Sequence, residues 1–303
     1  MADSSKGTKE ALDIQQVLAK AGKRALGGGL PGAAAMGVQV LSLMWLRTTM
    51  NYQYRHGTTT RQALRKLYAE GGVRRFYRGL APALFQGPLS RFGDTAANAG
   101  MLALLDHYDS TRSLPVAAKT AAASTAAALW RICLMPIDTL KTTLQVEGAR
   151  GMTILASKMR TSGPVVLYYG AMGAFAATWV GHFPWFFTYN FLDASLSVPD
   201  SLAAKLARNA GIGFAASCVS DTSSNSIRVL KTYRQTAEVK VSYVEAARSI
   251  IAKDGLFGLF GRGLQTRLLA NGVQGALFSV GWKYFQLQYA NAEKAAKGDD
   301  KRA

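Results

Sequence analysis

The sequence contains few of the residues from which enzyme active sites and metal sites are built. It has three histidines, His56, His107 and His182, and two cysteines, Cys133 and Cys218, among 303 residues. The histidines lie in different loops and segments without the spacing of metal ligands, and no nucleophile has a plausible base beside it. Both cysteines fall inside apolar segments, where we expect them to pack as small hydrophobes, and they carry no information on redox compartment. These absences predict a protein that is not an enzyme and has no metal site.

Acidic residues are also scarce. The chain has 18 Asp and Glu against 36 Lys and Arg, a formal net charge of +18. Such an excess can indicate nucleic-acid binding, but the basic residues are dispersed among loops and no RNA- or DNA-binding motif accompanies them. Attraction to anionic lipid head groups explains the excess better. We therefore expect membrane lipids, and no nucleic acid, among the partners.

Charged residues are missing altogether from 25–46, 162–192 and 268–282. A stretch of about 20 mostly apolar residues is long enough to cross a bilayer as a helix. Mean hydropathy is only weakly positive, which favours helices with one wet face that line an aqueous bore. Six spans are predicted, over roughly 25–54, 79–106, 115–146, 169–193, 203–236 and 263–290.

The basic residues indicate how these spans are oriented. Lys and Arg concentrate in the loops 47–78, 141–160 and 228–262, whereas the connectors 106–112 and 193–208 are nearly neutral. Basic loops remain on the side from which insertion begins. The three long loops are therefore predicted to share one face of the membrane, with both termini on the other.

One sequence unit occurs three times. A segment that ends in a basic residue recurs at 42–47, 136–141 and 226–231, and its basic residues are 94 and 90 positions apart. A second landmark, a glycine after an aromatic or basic residue, recurs at Gly79, Gly170 and Gly263, at intervals of 91 and 93. Two landmarks that keep step through three copies indicate a repeat architecture.

The triplicated pattern of proline, acid and base, followed by a loop helix and an aromatic-basic-glycine motif, resembles the mitochondrial carrier family over residues 25–290. The resemblance implies an all-α membrane protein with six transmembrane helices, arranged as three pseudo-threefold two-helix repeats with short matrix helices. It also implies alternating access for a solute across the mitochondrial inner membrane, with the basic loops in the matrix. The predicted units are an N-terminal arm 1–24, repeats 25–107, 115–194 and 202–290, and a mobile tail 291–303.

The N-terminal arm is expected to be retained and partly ordered. It carries Asp3, Glu10 and Asp13 and so lacks the acid-poor composition of a transit peptide.

In the family, the acid of each repeat pairs with the base of the next repeat and closes the matrix side. Here the acid positions hold Met44, Asp138 and Arg228, and the base positions hold Arg47, Lys141 and Lys231. Only Asp138 with Lys231 can form that pair. The other three cations are predicted to lack a matching acid, at a desolvation penalty of several kcal/mol unless water, anions or lipid relieve it. The residues that brace this matrix gate are Asn51, Gln145 and Gln235, and serine replaces proline at Ser42 and Ser226.

The opposite gate departs further from the family pattern. None of its three positions holds an acid and a base in the expected order, so closure there would need packing by Tyr189 and Trp282.

Substrate-contact positions transfer from the resemblance by counting seven or eight residues past each repeat glycine. They fall on Gln86, Ala177, Thr178, Ala270 and Asn271, which are mostly small and neutral. No familiar substrate code can be read from them.

Ionisable groups inside predicted spans are further candidates, since such groups are costly in a membrane. Arg131 and Asp221 each lie five residues before a repeated segment and so share one depth on adjacent odd-numbered helices. They either line the bore or neutralise each other. Arg91 is a third candidate unless it pairs with Asp94, and His182 is expected to be structural.

The resemblance also implies structural cardiolipin and no other cofactor. Helix N-termini bind anions through free backbone donors, although these glycines can equally serve only to permit tight turns. The predicted lipid-binding residues are Gly72, Arg78, Gly79, Gly163, Gly170, Gly255, Arg262 and Gly263.

Two functions remain open at this stage. The first is transport of a small anionic or zwitterionic metabolite by a monomer in the mitochondrial inner membrane. The second is a carrier-derived scaffold or subunit of a larger membrane complex that has lost transport. The degenerate gates favour the scaffold, while the intact middle signature and the retained glutamines favour transport.

Overall fold

The computed structural model describes residues 29–275 and 277, and for residues 29–36, 91, 95, 98, 99, 116 and 117 it describes the backbone only. Every regular element in this part of the chain is helical. The arm 1–24, the tail 291–303 and the later part of the predicted sixth span lie outside the described residues.

Long and short helices alternate along the chain. The first third contains α1 (Gly29–His56), α2 (Thr60–Phe76), α3 (Leu80–His107) and the single turn α4 (Asp109–Arg112). The middle third contains α5 (Val116–Cys133), α6 (Met135–Glu147), α7 (Gly151–Ser162) and α8 (Ala171–Ser195), with 3₁₀ turns at Gly148–Arg150 and Pro164–Tyr168. The last third contains α9 (Leu202–Thr236), α10 (Tyr243–Gly261) and α11 (264–275).

Proline explains why only the middle unit has a broken first helix. Pro136 occupies the first turn of α6, where its missing N–H is tolerated, and the helix that precedes it ends at Cys133. Ser42 and Ser226 stand where the other two copies would hold proline, and both lie inside continuous helices, α1 and α9.

The length and composition of the observed helices can be compared with the six spans predicted from the sequence. Among the described residues no single helix is both long and apolar enough to qualify as a membrane span. The broken pair Ala118–Cys133 and Met135–Ser162, bent by 64°, qualifies when its two parts are taken together.

The C-terminal parts of α1, α6 and α9 meet about a common centre, where each contacts the other two. Asn51 Nδ2 donates to Gln145 Oε1 at 2.5 Å between α1 and α6, and Tyr54 Oη donates to Asn225 Oδ1 at 3.2 Å between α1 and α9. An ion pair joins α6 to α9. Polar contacts between the first helices of the three units therefore define the middle of the bundle.

Each unit also places one buried cation on the carbonyl end of the next unit's first helix. The last carbonyls of a helix lack partners within the helix and lie at the negative end of its dipole, so a cation is favourable there. The bonds run from Arg75 to the Gln145 and Val146 carbonyls at 2.8 and 2.7 Å, from Lys158 to the Gln235 carbonyl at 2.9 Å, and from Arg262 to the Tyr54 and Arg55 carbonyls at 3.3 and 3.4 Å. These contacts run from the first unit to the second, the second to the third and the third to the first, and so close a ring.

Candidate functional site

The centre of the bundle holds a buried carboxylate, Asp138, which is 7% exposed. Its Oδ2 accepts from Lys231 Nζ at 2.5 Å and from Gln235 Nε2 at 3.3 Å. Its Oδ1 accepts from Lys141 Nζ at 2.8 Å and from Gln86 Nε2 at 3.3 Å. We call these five residues the Asp138 cluster.

The Asp138 cluster draws on all three units. Gln86 belongs to α3 in the first unit, Asp138 and Lys141 to α6 in the second, and Lys231 and Gln235 to α9 in the third. Gln86 also accepts from Lys141 at 2.8 Å, so its side-chain amide both donates and accepts a hydrogen bond within the cluster. A buried ion pair supplied with further hydrogen bonds is stable as a whole, and losing one partner leaves a buried charge unpaired.

Amide groups support this cluster at the neighbouring interfaces. Gln145 accepts from Asn51 and donates to Met44 Sδ at 3.4 Å, and Gln235 donates to Thr139 Oγ1 at 3.1 Å. Met44, which stands at an acid position of the repeat, is fully buried beside Val40 and Ala83. Neutral side chains therefore surround the first unit's acid position, Met44, at the interface with the second unit.

The structure corrects the prediction that three gate cations lack an acid. Lys141 pairs with Asp138 on its own helix, and Arg228 Nη2 lies 3.9 Å from Asp221 Oδ1, also on its own helix. The prediction considered only partners in neighbouring units and missed those three and seven residues away on one helix face. Arg47 has no carboxylate within 4 Å among the described residues.

Asp221 lies at a second ionic centre, which we call the Asp221 cluster. Its Oδ1 is 2.7 Å from Arg267 Nε, and its Oδ2 accepts from Asn271 Nδ2 at 2.6 Å. Together with Arg228, these residues join α9 to α11. The cluster is largely buried, since the Asp221 side chain is 8% exposed.

Arg131 does not neutralise Asp221, so that alternative is wrong. Its Nη2 donates to Asp94 Oδ2 at 2.6 Å and its Nη1 donates to Ser90 Oγ, both on α3. This pairing depends on how α3 is rotated about its axis relative to α5. The spacing of the repeats in the sequence does not predict that rotation. The Arg91 side chain lies outside the described residues.

Of the five substrate-contact positions transferred from the family, three are either buried or bonded to their own helix. Ala177 is buried, Ala270 is buried against Leu43, and Thr178 Oγ1 donates to the Ala174 carbonyl at 2.9 Å. Only Gln86 and Asn271 of the five direct polar atoms into an ionic cluster. His182 Nδ1 lies 2.7 Å from Ser124 Oγ, a contact that fits a structural role.

The glycines expected at lipid sites lie at helix ends or, for Gly72 in α2 and Gly255 in α10, at kinks inside a helix. A positive φ occurs at Gly72, Gly79, Gly163, Gly255 and Gly263, while Gly170 has a φ of −98°. Arg262 is buried and its donors are directed at Asp254 and at backbone carbonyls. Arg78 is exposed, so it is the basic residue beside a repeat glycine that remains open to a lipid phosphate.

Sequence reasoning missed Arg267, although a signal for it exists. Arg267 precedes Asn271 by four residues and follows Gly263 by four, so it lies one helical turn below a transferred position on the same face. Counting only seven or eight residues past the glycine passed over it.

Three helical units whose first helices meet at a paired carboxylate fit a three-repeat membrane carrier. The chain belongs to the mitochondrial carrier family, since the family described as Mitochondrial carrier protein matches it three times, over residues 19–106, 112–198 and 203–292. Membership confirms the resemblance predicted from the repeats and implies solute transport across a membrane rather than enzymatic catalysis. No curated protein matches the chain at a significant level.

Proposed function

We propose that this protein moves a small anionic or zwitterionic metabolite across the mitochondrial inner membrane by alternating access. The Asp138 cluster carries the proposal, because one carboxylate gathers side chains from all three units at the point where their first helices meet. A contact of this kind closes one side when it forms and opens it when it breaks. Membership in the carrier family supports the same reading.

The charge around the centre supports an anionic solute. The cationic residues of the two clusters and their surroundings are Arg47, Lys141, Arg228, Lys231 and Arg267, and the acidic residues are Asp138 and Asp221. Cations therefore outnumber carboxylates by five to two. Low-dielectric walls focus such a field and raise the local concentration of anions. Arg131, with Asp94 beside it, is a further contact for a solute.

The membrane arrangement is part of the proposal. We infer six transmembrane helices, with the basic loops in the matrix and a monomer as the working unit. Cardiolipin phosphates would bind at the N-terminal ends of α3 and its counterparts, beside Gly79 and exposed Arg78, through free backbone donors. The excess of positive charge in the loops supports this placement.

A second function, a transport-inactive scaffold or complex subunit, is favoured by the departures from the family pattern. Met44 and Arg228 occupy acid positions, so the family's acid-base pair between units is present at one of the three interfaces. A scaffold would not need a solute-triggered gate. It would instead co-purify with a large assembly.

Reconstitution of the full-length protein in liposomes distinguishes the two functions. We expect exchange of labelled anions, tested with phosphate, dicarboxylates and amino acids, and a rise in melting temperature with the exchanged solute, because a ligand that binds only the folded state stabilises it. Arg131→Ala should abolish that rise, while Arg112→Gln, an exposed arginine in α4, should leave it intact. Absence of exchange where a control carrier works, together with stable co-purification with a large complex, would establish the scaffold instead.

A further inference from the structure

We propose that Arg47, Arg228 and Arg267 form a binding site for a divalent oxyanion between the first and third units, and that the bound anion replaces the acid missing from this interface. The ligand class is a phosphate, a phosphate ester or a dicarboxylate. The proposal rests on the proposed function, since the anionic group would be that of the transported solute. In this arrangement the bound solute closes the interface between the first and third units, which the Asp138 cluster does not bridge.

Arg267 spans the gap between the two units. Its Nε lies 2.7 Å from Asp221 Oδ1 on α9, and its Nη1 lies 3.9 Å from Met50 Sδ on α1. Met50 is three residues from Arg47, so it lies on the same face of α1. The guanidinium of Arg267 therefore lies between the helix that carries Asp221 and the helix that carries Arg47.

Arg228 brings a second guanidinium to the same carboxylate oxygen. Its Nε donates to Ser224 Oγ at 3.2 Å, which fixes the side chain, while its Nη2 is 3.9 Å from Asp221 Oδ1. That distance exceeds a hydrogen bond. Arg228 also stands at the position where an acid would face the base of the first unit, so a cation occupies the place of a carboxylate.

Arg47 completes the set. It has no carboxylate within 4 Å among the described residues, and it lies on the face of α1 whose Met50 contacts Arg267. Asp221 cannot compensate for all three cations, because Oδ1 already faces Arg267 and Arg228 and Oδ2 accepts from Asn271. The charges of Arg47, Arg228 and Arg267, set against the one carboxylate of Asp221, leave a surplus of two positive charges.

This surplus matches the charge of a divalent oxyanion. Guanidinium groups present planar pairs of N–H donors that fit the oxygens of phosphate and carboxylate. The Arg228 and Arg267 side chains are 26% and 20% exposed, so an anion can reach them. The Asp138 cluster differs, because both of its lysines already bond the central carboxylate.

The first test measures the melting temperature of the full-length protein in detergent against inorganic phosphate, with chloride at matched ionic strength. We expect a saturable rise with phosphate in the wild type. Arg228→Gln and Arg47→Gln should each weaken the apparent affinity about tenfold, because each removes a charge-assisted donor pair. Arg112→Gln should respond like the wild type, since Arg112 is exposed on α4 at a connector.

Arg228→Glu tests the site by adding a negative charge and not only by removing a contact. It restores an acid to the position that faces the first unit and balances two cations with two carboxylates. We expect a higher melting temperature than the wild type without phosphate and no further rise when phosphate is added. A cooperative melting transition of Arg228→Gln without phosphate would show that its weaker response is not caused by misfolding.

Equal phosphate responses in the wild type, Arg228→Gln and Arg47→Gln would overturn the site, as would no response of the wild type to phosphate, sulfate and malonate. Exchange in proteoliposomes reports the proposed function separately. Exchange without an Arg228-dependent response would retain transport and overturn the site. An Arg228-dependent response without exchange would retain the anion site and overturn transport.

Discussion

Asp138 has two lysine partners that behave differently when the centre of the bundle opens. Lys141 is three residues away on the same helix, whereas Lys231 lies on α9 in the next unit. Separating α6 from α9 breaks the bond to Lys231 and leaves the bond to Lys141 in place. The carboxylate is therefore never left without a counter-ion, which lowers the desolvation penalty of opening.

Replacing this retained partner should slow transport. In Lys141→Gln, Asp138 depends on Lys231 alone, so separating the two units leaves a buried carboxylate with neutral donors only. We expect the exchange rate to fall about tenfold, the loss of one charge-assisted hydrogen bond in the open state. Lys205→Gln, at an exposed position of α9, is the control. Unchanged exchange in Lys141→Gln would mean that Asp138 is stabilised by other groups when the gate opens.

His56 gives stability a pH dependence outside the predicted spans. Burial, followed by the charges of Arg55, Lys66, Lys253 and Arg262, lowers its pKa from 6.5 to about 4. The unfolded chain therefore binds a proton between pH 6.5 and 4 that the folded protein does not bind, so stability is present above this window and is lost as the pH falls through it.

Substituting His56 should flatten that dependence. We expect the melting temperature of the wild type to fall between pH 7 and pH 5 at constant ionic strength, and His56→Gln to show a smaller fall over the same interval. The same slope in both proteins would assign the acid sensitivity to other groups.

At the scale of helices, close contact between α3 and α5 depends on Gly93. A Cβ at this buried position would overlap the indole of Trp130, whose Nε1 donates to the Leu89 carbonyl at 3.1 Å. Gly211 in α9 has no atom within 4 Å of the place where its Cβ would stand.

The two glycines should therefore respond oppositely to alanine. Gly93→Ala is expected to destabilise the protein by about 1–3 kcal/mol through overpacking. Gly211→Ala is expected to stabilise it by up to about 1 kcal/mol through helix propensity. Thermal unfolding in detergent measures both. A Gly93→Ala variant at least as stable as the wild type would show that α3 and α5 are not packed as closely as Gly93 and Trp130 indicate.

The sequence predicts helices better than it predicts their contacts. Pro136 marks the break between α5 and α6, and the serines at 42 and 226 coincide with continuous helices. The pairing of Arg131 with Asp94 was not predictable, because it depends on how α3 is rotated against α5. Period and spacing locate a residue along a helix, but the neighbouring helix decides its partner.

At the scale of the whole molecule, the ring of three cations that cap the neighbouring units was also not predictable. Arg75, Lys158 and Arg262 lie 4, 12 and 1 residues before their repeat glycines, so they do not occupy equivalent positions in the sequence. The three contacts are nevertheless equivalent in space, each at the carbonyl end of a first helix. The three units share the geometry of the contact, although the residue that makes it stands at a different position in each repeat.

Breaking the ring at one point should loosen the association between units. Arg75→Met leaves two helix-end carbonyls and Glu70 without their donor, and we expect a loss of about 3 kcal/mol in the free energy of unfolding. Arg74→Met changes the adjacent arginine, which is exposed, and should have little effect. Equal melting temperatures for the two variants would show that the ring contributes nothing measurable.

The most direct test of the central claim is exchange of anions by Asp138→Asn in proteoliposomes, compared with Asp109→Asn, which changes an exposed aspartate in α4. The asparagine keeps the shape of the side chain but leaves Lys141 and Lys231 without their shared charge. We expect Asp138→Asn to remain folded and to lose at least about tenfold in exchange rate, while Asp109→Asn exchanges like the wild type. Wild-type exchange by folded Asp138→Asn would show that this carboxylate does not control access to the bore.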